Sequence, residues 1–229
     1  MLGERVFKIT MNASFVSLLY CIMLDHDCNF LDVRIGGKTE HPLFFHNHPY
    51  QVLPSNLDNF YILKLSYHCY ELLHTMIFDR KRGDFPEYML HHFLTFTLIL
   101  FSYVVNYLPV GAAVMILHDV TDLTVSLYKI TSDITPMAIE GSAYLLMVIS
   151  WVYVRLWYFP SHVICRIFEE VKVWHSSTYN ASLAFMLTGF LCVLLLLHCF
   201  WFYLMVKGLL KRVKNMNAIS LEGNENRAD

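Results

Sequence analysis

Histidines and aspartates form two short clusters in otherwise apolar parts of the sequence. One is the pair His91-His92, and the other is His118-Asp119-Val-Thr-Asp122. A helix places His118, Asp119 and Asp122 on one side, because residues three and four apart share a face. A carboxylate that accepts a hydrogen bond from an imidazole fixes its tautomer and stabilises its charged form, so the imidazole acts as a base or a nucleophile. The two clusters therefore predict a site of proton transfer or nucleophilic catalysis.

The same residue types admit two other interpretations. Two histidines and two carboxylates suit a divalent metal ion, but the sequence contains none of the HxxxH or HxxHH clusters of membrane di-iron enzymes. A polar contact that holds helices together needs only one asparagine or serine. We therefore expect a functional site that holds no metal ion and no resident cofactor.

The composition places these clusters in a membrane. Hydrophobic residues make up 56% of the 229 residues and charged residues only 16%, whereas a soluble domain carries about 25% charged residues. Aromatic residues reach 15%, and Tyr and Trp favour membrane interfaces. The net charge of −2 excludes a nucleic-acid-binding protein that relies on bulk electrostatics. The sequence predicts a multi-pass membrane protein without a nucleic-acid partner.

Six stretches are long enough to cross a bilayer as helices, which takes about 20 residues. They cover residues 6–24, 59–78, 88–106, 110–128, 137–158 and 183–206. Pro109 and Gly111 separate the third stretch from the fourth, because proline disfavours helix at the residue before it. We predict an all-α, polytopic bundle of about six transmembrane helices over residues 1–214, followed by a disordered cytosolic tail over residues 215–229.

Basic residues predict the orientation of these helices. Clusters at residues 5–8, 80–82 and 207–214 fall on one side of the membrane if there are six crossings, and the positive-inside rule makes that side cytosolic. Residues 160–182 then form a loop on the opposite side. His118 lies about 12 Å into its helix at ~1.5 Å per residue, close to the middle of the bilayer. Each carboxylate beside it costs roughly 2.5–3.5 kcal/mol in that position, which favours a functional role.

Further residues extend the pattern around the two clusters. In chain order they are Arg80-Lys-Arg-Gly-Asp84-Phe85, His91-His92, Phe101-Ser-Tyr-x-x-Asn106, Gly111 and His118-Asp-x-x-Asp122. Together they resemble the Lag1 motif of the ceramide synthases, which lies in their TRAM-LAG1-CLN8 (TLC) domain. The resemblance extends over most of residues 4–214 and implies a helical membrane domain that transfers acyl groups.

This resemblance implies a reaction and its partners. Ceramide synthases transfer a fatty acyl group from acyl-CoA to the amine of a long-chain sphingoid base, and the product is ceramide or dihydroceramide. Acyl-CoA is then a co-substrate rather than a cofactor. The resemblance also implies a multi-pass protein of the endoplasmic reticulum membrane, surrounded by membrane lipids, with a homo- or heterodimer as a further expectation.

Roles for the clustered residues follow from the same resemblance. We expect His118 to act on the thioester carbonyl, either as a nucleophile through an acyl-imidazole or as a general base. Asp119 and Asp122 are expected to orient His118, and His91 or His92 to take the proton from the incoming amine.

The resemblance also suggests substrate-binding residues and leaves one alternative open. Arg80, Lys81 and Arg82 are expected to bind the phosphates of CoA, and residues 169–180 to influence acyl length. Ser126 stands where the synthases usually carry an acidic residue. It favours the alternative of a non-catalytic TLC-domain protein that binds or senses lipid or assists membrane-protein handling.

Overall fold

The computed structural model describes residues 2–24, 44–45, 48–134, 136–172 and 178–225, nearly all of which are helical. The helices are α1 (Leu2–Leu24), α2 (Leu57–Phe78), α3 (Phe85–Val104), α4 (Leu108–Ile134), α5 (Met137–Ser150), a π-helix (Trp151–Ile164), α6 (Cys165–Lys172) and α7 (Thr178–Glu225). Because α5, the π-helix and α6 follow one another without a break, the described residues form six helical segments. The prediction of an all-α bundle of about six segments is confirmed, and the described residues contain no strand.

Four of the six segments are long and apolar enough to cross a membrane. They are Gly3–Met23, Leu108–Ser132, Ile139–Lys172 and Ser182–Lys211. The other two are α2, which contains Lys64 and Glu71, and α3, which contains the pair His91-His92. These two helices pack against each other within the bundle.

The turn between α3 and α4 lies where the sequence predicts it. Helix α3 ends at Val104 and α4 begins at Leu108, and Asn106 has a φ of 59°. Asparagine tolerates this left-handed conformation better than most residues. Its side chain donates a hydrogen bond of 2.8 Å to the carbonyl of Pro49, which ties the turn to the segment before α2.

The fifth segment is longer than predicted, and residues 160–172 are helical rather than part of a loop. Helix continues through Pro160, which lacks a backbone donor and clashes in an α-helix with the carbonyl four residues earlier. The wider π-helical turn pairs residues five apart, as the N–H of Cys165 does with the carbonyl of Pro160. This wider geometry accommodates the proline, and the helix ends at Lys172.

Helix α7 extends further than the predicted sixth span. It continues to Glu225, so residues 215–225 are helical where the sequence predicts a disordered tail. A formed helix lengthens easily, because each added residue fixes one pair of dihedrals for one hydrogen bond, and this stretch contains no proline. Residues 226–229 lie outside the described part of the chain.

The three basic clusters lie at one end of the bundle. Arg5 near the start of α1 donates a hydrogen bond to the carbonyl of Lys129 near the end of α4. Tyr144 in α5 donates a 2.7 Å hydrogen bond to the carbonyl of Met205 in α7. These contacts bring the start of α1 and the basic end of α7 to the same end of the bundle as the turn between α2 and α3. This is the end that the sequence predicts to face the cytosol.

Gly111 allows α2 to approach the α3–α4 hairpin closely. The hydroxyl of Tyr61 donates a 2.8 Å hydrogen bond to the carbonyl of Leu108. A Cβ atom at residue 111 would collide with that hydroxyl and would lie 2.8 Å from Oγ of Ser102. Only glycine therefore fits between these two side chains.

We predict that Gly111→Ala destabilises the protein by about 1–3 kcal/mol, the usual cost of overpacking a core. Thermal unfolding of the purified protein in detergent measures this loss. Gly141→Ala is the matched control, because nothing lies within 4 Å of the added methyl group. In that helix interior alanine is favoured by up to about 1 kcal/mol. Equal melting temperatures for the two variants would contradict the close approach.

Candidate active site

His118 uses both of its ring nitrogens in contacts within the bundle. Its Nδ1 atom lies 2.7 Å from the carbonyl oxygen of Val114. Because a carbonyl only accepts, Nδ1 carries the proton and Nε2 is left with a lone pair. Nε2 lies 3.1 Å from Nε2 of His198 on α7, which must then be the donor. The backbone and His198 together fix the tautomer of His118.

The two aspartates pair with cations instead of with His118. Asp119 forms a buried ion pair with Lys64 of α2, at 2.7 and 2.9 Å from Nζ to its two oxygens. Asp122 pairs with Arg155 of the π-helix. The expected role of Asp119 and Asp122 in orienting His118 is therefore corrected. In a medium of low dielectric constant, opposite full charges attract each other more strongly than a carboxylate attracts a neutral imidazole.

Lys64, Arg155 and His198 are site residues that the sequence analysis missed. Only 1% of the Lys64 side chain and 3% of the Arg155 side chain are exposed. The sequence does contain a signal for Lys64 and Arg155. It has two cations and two anions within apolar spans, and a charge in a membrane needs a partner of opposite sign. His198 has no comparable signal, since its contact with His118 depends on how α7 packs beside α4.

An apolar cavity lies between α3, α4 and α7. His91, His118, Asp119 and Asp122 line one end of it, and its walls are mainly aliphatic. From His91 to Ser102 its wall follows eleven residues of α3, which is about 16 Å at ~1.5 Å per residue. Apolar walls with a few polar groups at one end are typical of a ligand pocket.

A second, polar cavity adjoins it at the end predicted to be cytosolic. Its wall contains four cations and four carboxylates, which are Lys8, Arg82, Lys129 and Arg155, and Glu71, Asp84, Asp119 and Asp122. His68, His91, Asp119 and Asp122 line both cavities, whereas His92 lines the polar cavity and His118 lines the apolar one. His91 therefore stands where the two cavities meet.

The histidine pair on α3 has ring nitrogens available for a ligand. Among the described residues, Nδ1 of His91 and both ring nitrogens of His92 are buried without a hydrogen-bond partner. The ring of His91 packs against Trp201 at 5.3 Å, and that of His92 against Tyr88 at 4.4 Å, between centroids. Because buried polar atoms are nearly always paired, unpaired nitrogens beside a cavity indicate a ligand site.

Of the three basic residues expected at a phosphate site, Arg82 alone lines the polar cavity among the described residues. Arg80 is exposed and donates a 2.6 Å hydrogen bond to the carbonyl of Met76, and Lys81 is exposed. The guanidinium of Arg82 lies 4.1 Å above the Tyr88 ring. It also donates a 3.0 Å hydrogen bond to Asp84, and this bond lowers the pKa of the Asp84 carboxyl.

Metal chemistry remains a matter of prediction. Within the described ranges, no group of three or more His, Cys, Asp or Glu side chains is arranged to hold a metal ion. The expectation that the site works without a metal stays a prediction.

Comparisons with known proteins agree with the sequence motifs. The family model described as the TLC domain matches residues 2–207. Ceramide synthase 4 of Bos taurus is 34% identical over 160 residues, which cover 70% of this chain and 40% of that protein. Ceramide synthase 5 of Homo sapiens is 32% identical over 168 residues, covering 73% and 42%. Ceramide synthase LOH2 of Arabidopsis thaliana is 26% identical over 179 residues, covering 77% and 60%. The matched region thus spans about two fifths to three fifths of these relatives' lengths.

We predict that Lys64→Met destabilises the protein by about 3–5 kcal/mol, because it leaves Asp119 buried without a counter-charge. The double variant Lys64→Met/Asp119→Leu should recover most of this loss, since it removes both charges. The melting temperatures of Lys64→Met, of Asp119→Leu and of the double variant, compared with that of the unsubstituted protein, form a double-mutant cycle. If the double variant lost as much as the sum of its single variants, the ion pair would have no coupling energy.

Proposed function

The chain belongs to the TLC domain family, and on that premise we propose that it is a ceramide synthase-like enzyme. It transfers a fatty acyl group from acyl-CoA to the amine of a long-chain sphingoid base, and so acts as an acyl-CoA-dependent sphingosine N-acyltransferase. The observation that carries the proposal is the position of His91, between an apolar cavity and a polar cavity whose wall contains four cations and four carboxylates.

Acyl-CoA has two chemically different halves, which match the two cavities. The acyl chain fits the apolar cavity, and the negatively charged CoA fits the polar one, where Arg82, Lys8 and Lys129 supply positive charge. Charge-assisted hydrogen bonds to phosphate are among the strongest in proteins. With both halves in place, the thioester lies at the junction beside His91.

Of the histidines that the sequence motifs single out, His91 is the best placed to act on the thioester. His118, the residue expected to do so from the sequence, has both nitrogens occupied by Val114 and His198. An unpaired nitrogen of His91 either attacks the thioester carbon, which expels CoA thiolate and forms an acyl-imidazole, or serves as a general base. His118 then lies buried in the wall of the apolar cavity and does not itself act on the thioester.

The amine substrate needs a proton acceptor and a place for its positive charge. His92 faces the polar cavity with both ring nitrogens unpaired, and so takes a proton from the ammonium group. The side chain of Asp122 remains 42% exposed although it pairs with Arg155, so a free carboxylate oxygen is available to the ammonium. The amine then attacks the acyl carbon, and its second proton passes to the thiolate or to imidazole. Over one turnover the reaction releases one proton to solvent.

The proposed setting is the endoplasmic reticulum membrane, with the polar cavity open to the cytosol. Acyl-CoA then arrives from the cytosol, and the lipid tails of both the base and the product enter from the surrounding membrane lipids. A homo- or heterodimer stays an expectation from the family resemblance.

Microsomes from a host without its own ceramide synthase test the proposal. They would carry this chain and receive a fluorescent sphingoid base with acyl-CoAs of several lengths. The expected result is an N-acylated product that forms only when acyl-CoA is added. If the protein is inserted and folded but no product forms, the enzyme assignment fails, and the lipid-binding alternative takes its place.

We predict that His91→Gln lowers the turnover rate by at least about 100-fold, because acid–base or nucleophilic groups contribute about 10²–10⁴ to a rate. His74→Gln is the matched control. His74 lies on α2, 3.8 Å from Asp79, and outside the walls of both cavities. Equal rates for His91→Gln and His74→Gln, at equal amounts of inserted protein, would exclude His91 from the chemistry.

We further predict that Arg82→Gln raises KM for acyl-CoA about tenfold with little change in kcat. A hydrogen bond to a charged group contributes about 1.5–3 kcal/mol, and 1.4 kcal/mol corresponds to a factor of ten. Lys81→Gln should leave KM unchanged, since Lys81 lies outside the polar cavity. Steady-state kinetics in the same microsomes measure both. A larger effect at Lys81 than at Arg82 would mean that CoA binds outside this cavity.

A further inference from the structure

The apolar cavity ends at side chains from three separate parts of the chain. They are Phe45 from the segment between α1 and α2, Tyr107 from the turn between α3 and α4, and Ile167 from α6. The rings of Phe45 and Tyr107 meet edge to face, with 5.0 Å between centroids and 75° between planes. All three side chains are buried. They form an apolar end wall at the opposite end of the cavity from His91.

Phe45 is held in this wall although it lies outside any helix. The backbone N–H groups of Phe44 and Phe45 donate hydrogen bonds of 3.2 and 2.9 Å to the two carboxylate oxygens of Glu170 on α6. Arg166 donates a 2.9 Å hydrogen bond to the same carboxylate. Gln51 donates a 2.8 Å hydrogen bond to the carbonyl of Phe44. These contacts fix the height of the Phe45 ring relative to α6.

The depth of the cavity corresponds to a long acyl chain. Eleven residues of α3 separate His91 from Ser102, or about 16 Å at ~1.5 Å per residue. Half of a bilayer core of about 30 Å is about 15 Å, and lipid acyl tails fill that thickness. An acyl group with its carbonyl carbon at His91 therefore brings its methyl end to the end wall.

We propose that Phe45 and Ile167 are specificity-determining residues that set the upper limit of acyl length. The inference rests on the proposed function and goes beyond it, since it identifies what ends the acyl site. A chain longer than the cavity must displace the wall or fold back, and a shorter chain leaves apolar space unfilled. The longest acyl chain that fits then depends on the positions of the Phe45 ring and the Ile167 side chain.

The neighbouring residue offers a matched control. Phe44 is as deeply buried as Phe45 and shares the contact with Glu170, but its side chain is not part of the cavity wall. Phe44→Ala and Phe45→Ala therefore remove the same volume from adjacent positions. Only the second change lengthens the cavity.

The experiment is a competition in the microsomes described above, with an equimolar mixture of myristoyl-, palmitoyl-, stearoyl-, arachidoyl-, behenoyl- and lignoceroyl-CoA. Mass spectrometry gives the distribution of N-acyl products, and ratios within one sample do not depend on the amount of enzyme. Phe45→Ala should shift the distribution to longer chains, and Ile167→Phe, which fills the cavity, to shorter ones. At the upper limit of acyl length, we expect the ratio between two products of neighbouring acyl length to change at least about tenfold. Tenfold is the lower end of what one methylene contributes in an apolar pocket. Phe44→Ala should keep the original distribution.

Opposite shifts in the two variants support the proposal. An unchanged distribution in active Phe45→Ala and Ile167→Phe, or the same shift in Phe44→Ala as in Phe45→Ala, overturns it. If Phe45→Ala does not fold, Phe45→Leu and Ile167→Phe still provide the lengthened and the shortened cavity. Failure of the proposed function is a separate result, because the unsubstituted protein would then give no product with any acyl-CoA.

Discussion

Four ionised side chains lie among apolar helices, and their pairing constrains the rest of the structure. Lys64 pairs with Asp119, and Arg155 with Asp122. Lys64, Asp119 and Arg155 are buried, so removing the partner of any one of them would leave a charge in a medium that cannot solvate it, which is far more costly than losing both. The two pairs join α4 to α2 on one side and to the π-helix on the other. They therefore fix the walls between which the two cavities meet.

This pairing also determines which imidazole is free to react. Because cations occupy both aspartates, His118 is oriented by a backbone carbonyl and by His198. The histidine pair on α3 keeps unpaired nitrogens at the cavities. The spacing of the HDxxD cluster thus reflects an electrostatic framework, and the proposed reactive group lies on the neighbouring helix. In the proposed reaction, the charged half and the apolar half of acyl-CoA likewise contact different cavities.

Most of the fold could be predicted from the sequence, because span length, the break before Pro109 and basic clusters are local properties. The clustering of His91 with Asp122 also followed from helix periodicity and a short turn. The partners of each charge could not be predicted, since they depend on the register of α4 against α2 and the π-helix. Helix through Pro160 depends on π-helical turns that tertiary packing maintains. Neither Lys8 nor Lys129 stands out as a ligand-binding residue until folding brings both to one cavity.

The central claim is that acyl-CoA lies across the junction at His91 with its acyl chain in the apolar cavity. Photolabelling with an acyl-CoA that carries a diazirine at the methyl end tests this most directly, with labelled peptides identified by mass spectrometry. Labels are expected on the end wall of Phe45, Tyr107 and Ile167 and on the other lining residues of the far half of that cavity, which lie within residues 98–115 and 184–194. They should be lost when unmodified acyl-CoA competes. Labels that fall mainly on outward-facing side chains such as Leu146 and Leu196, and that persist under competition, would contradict it.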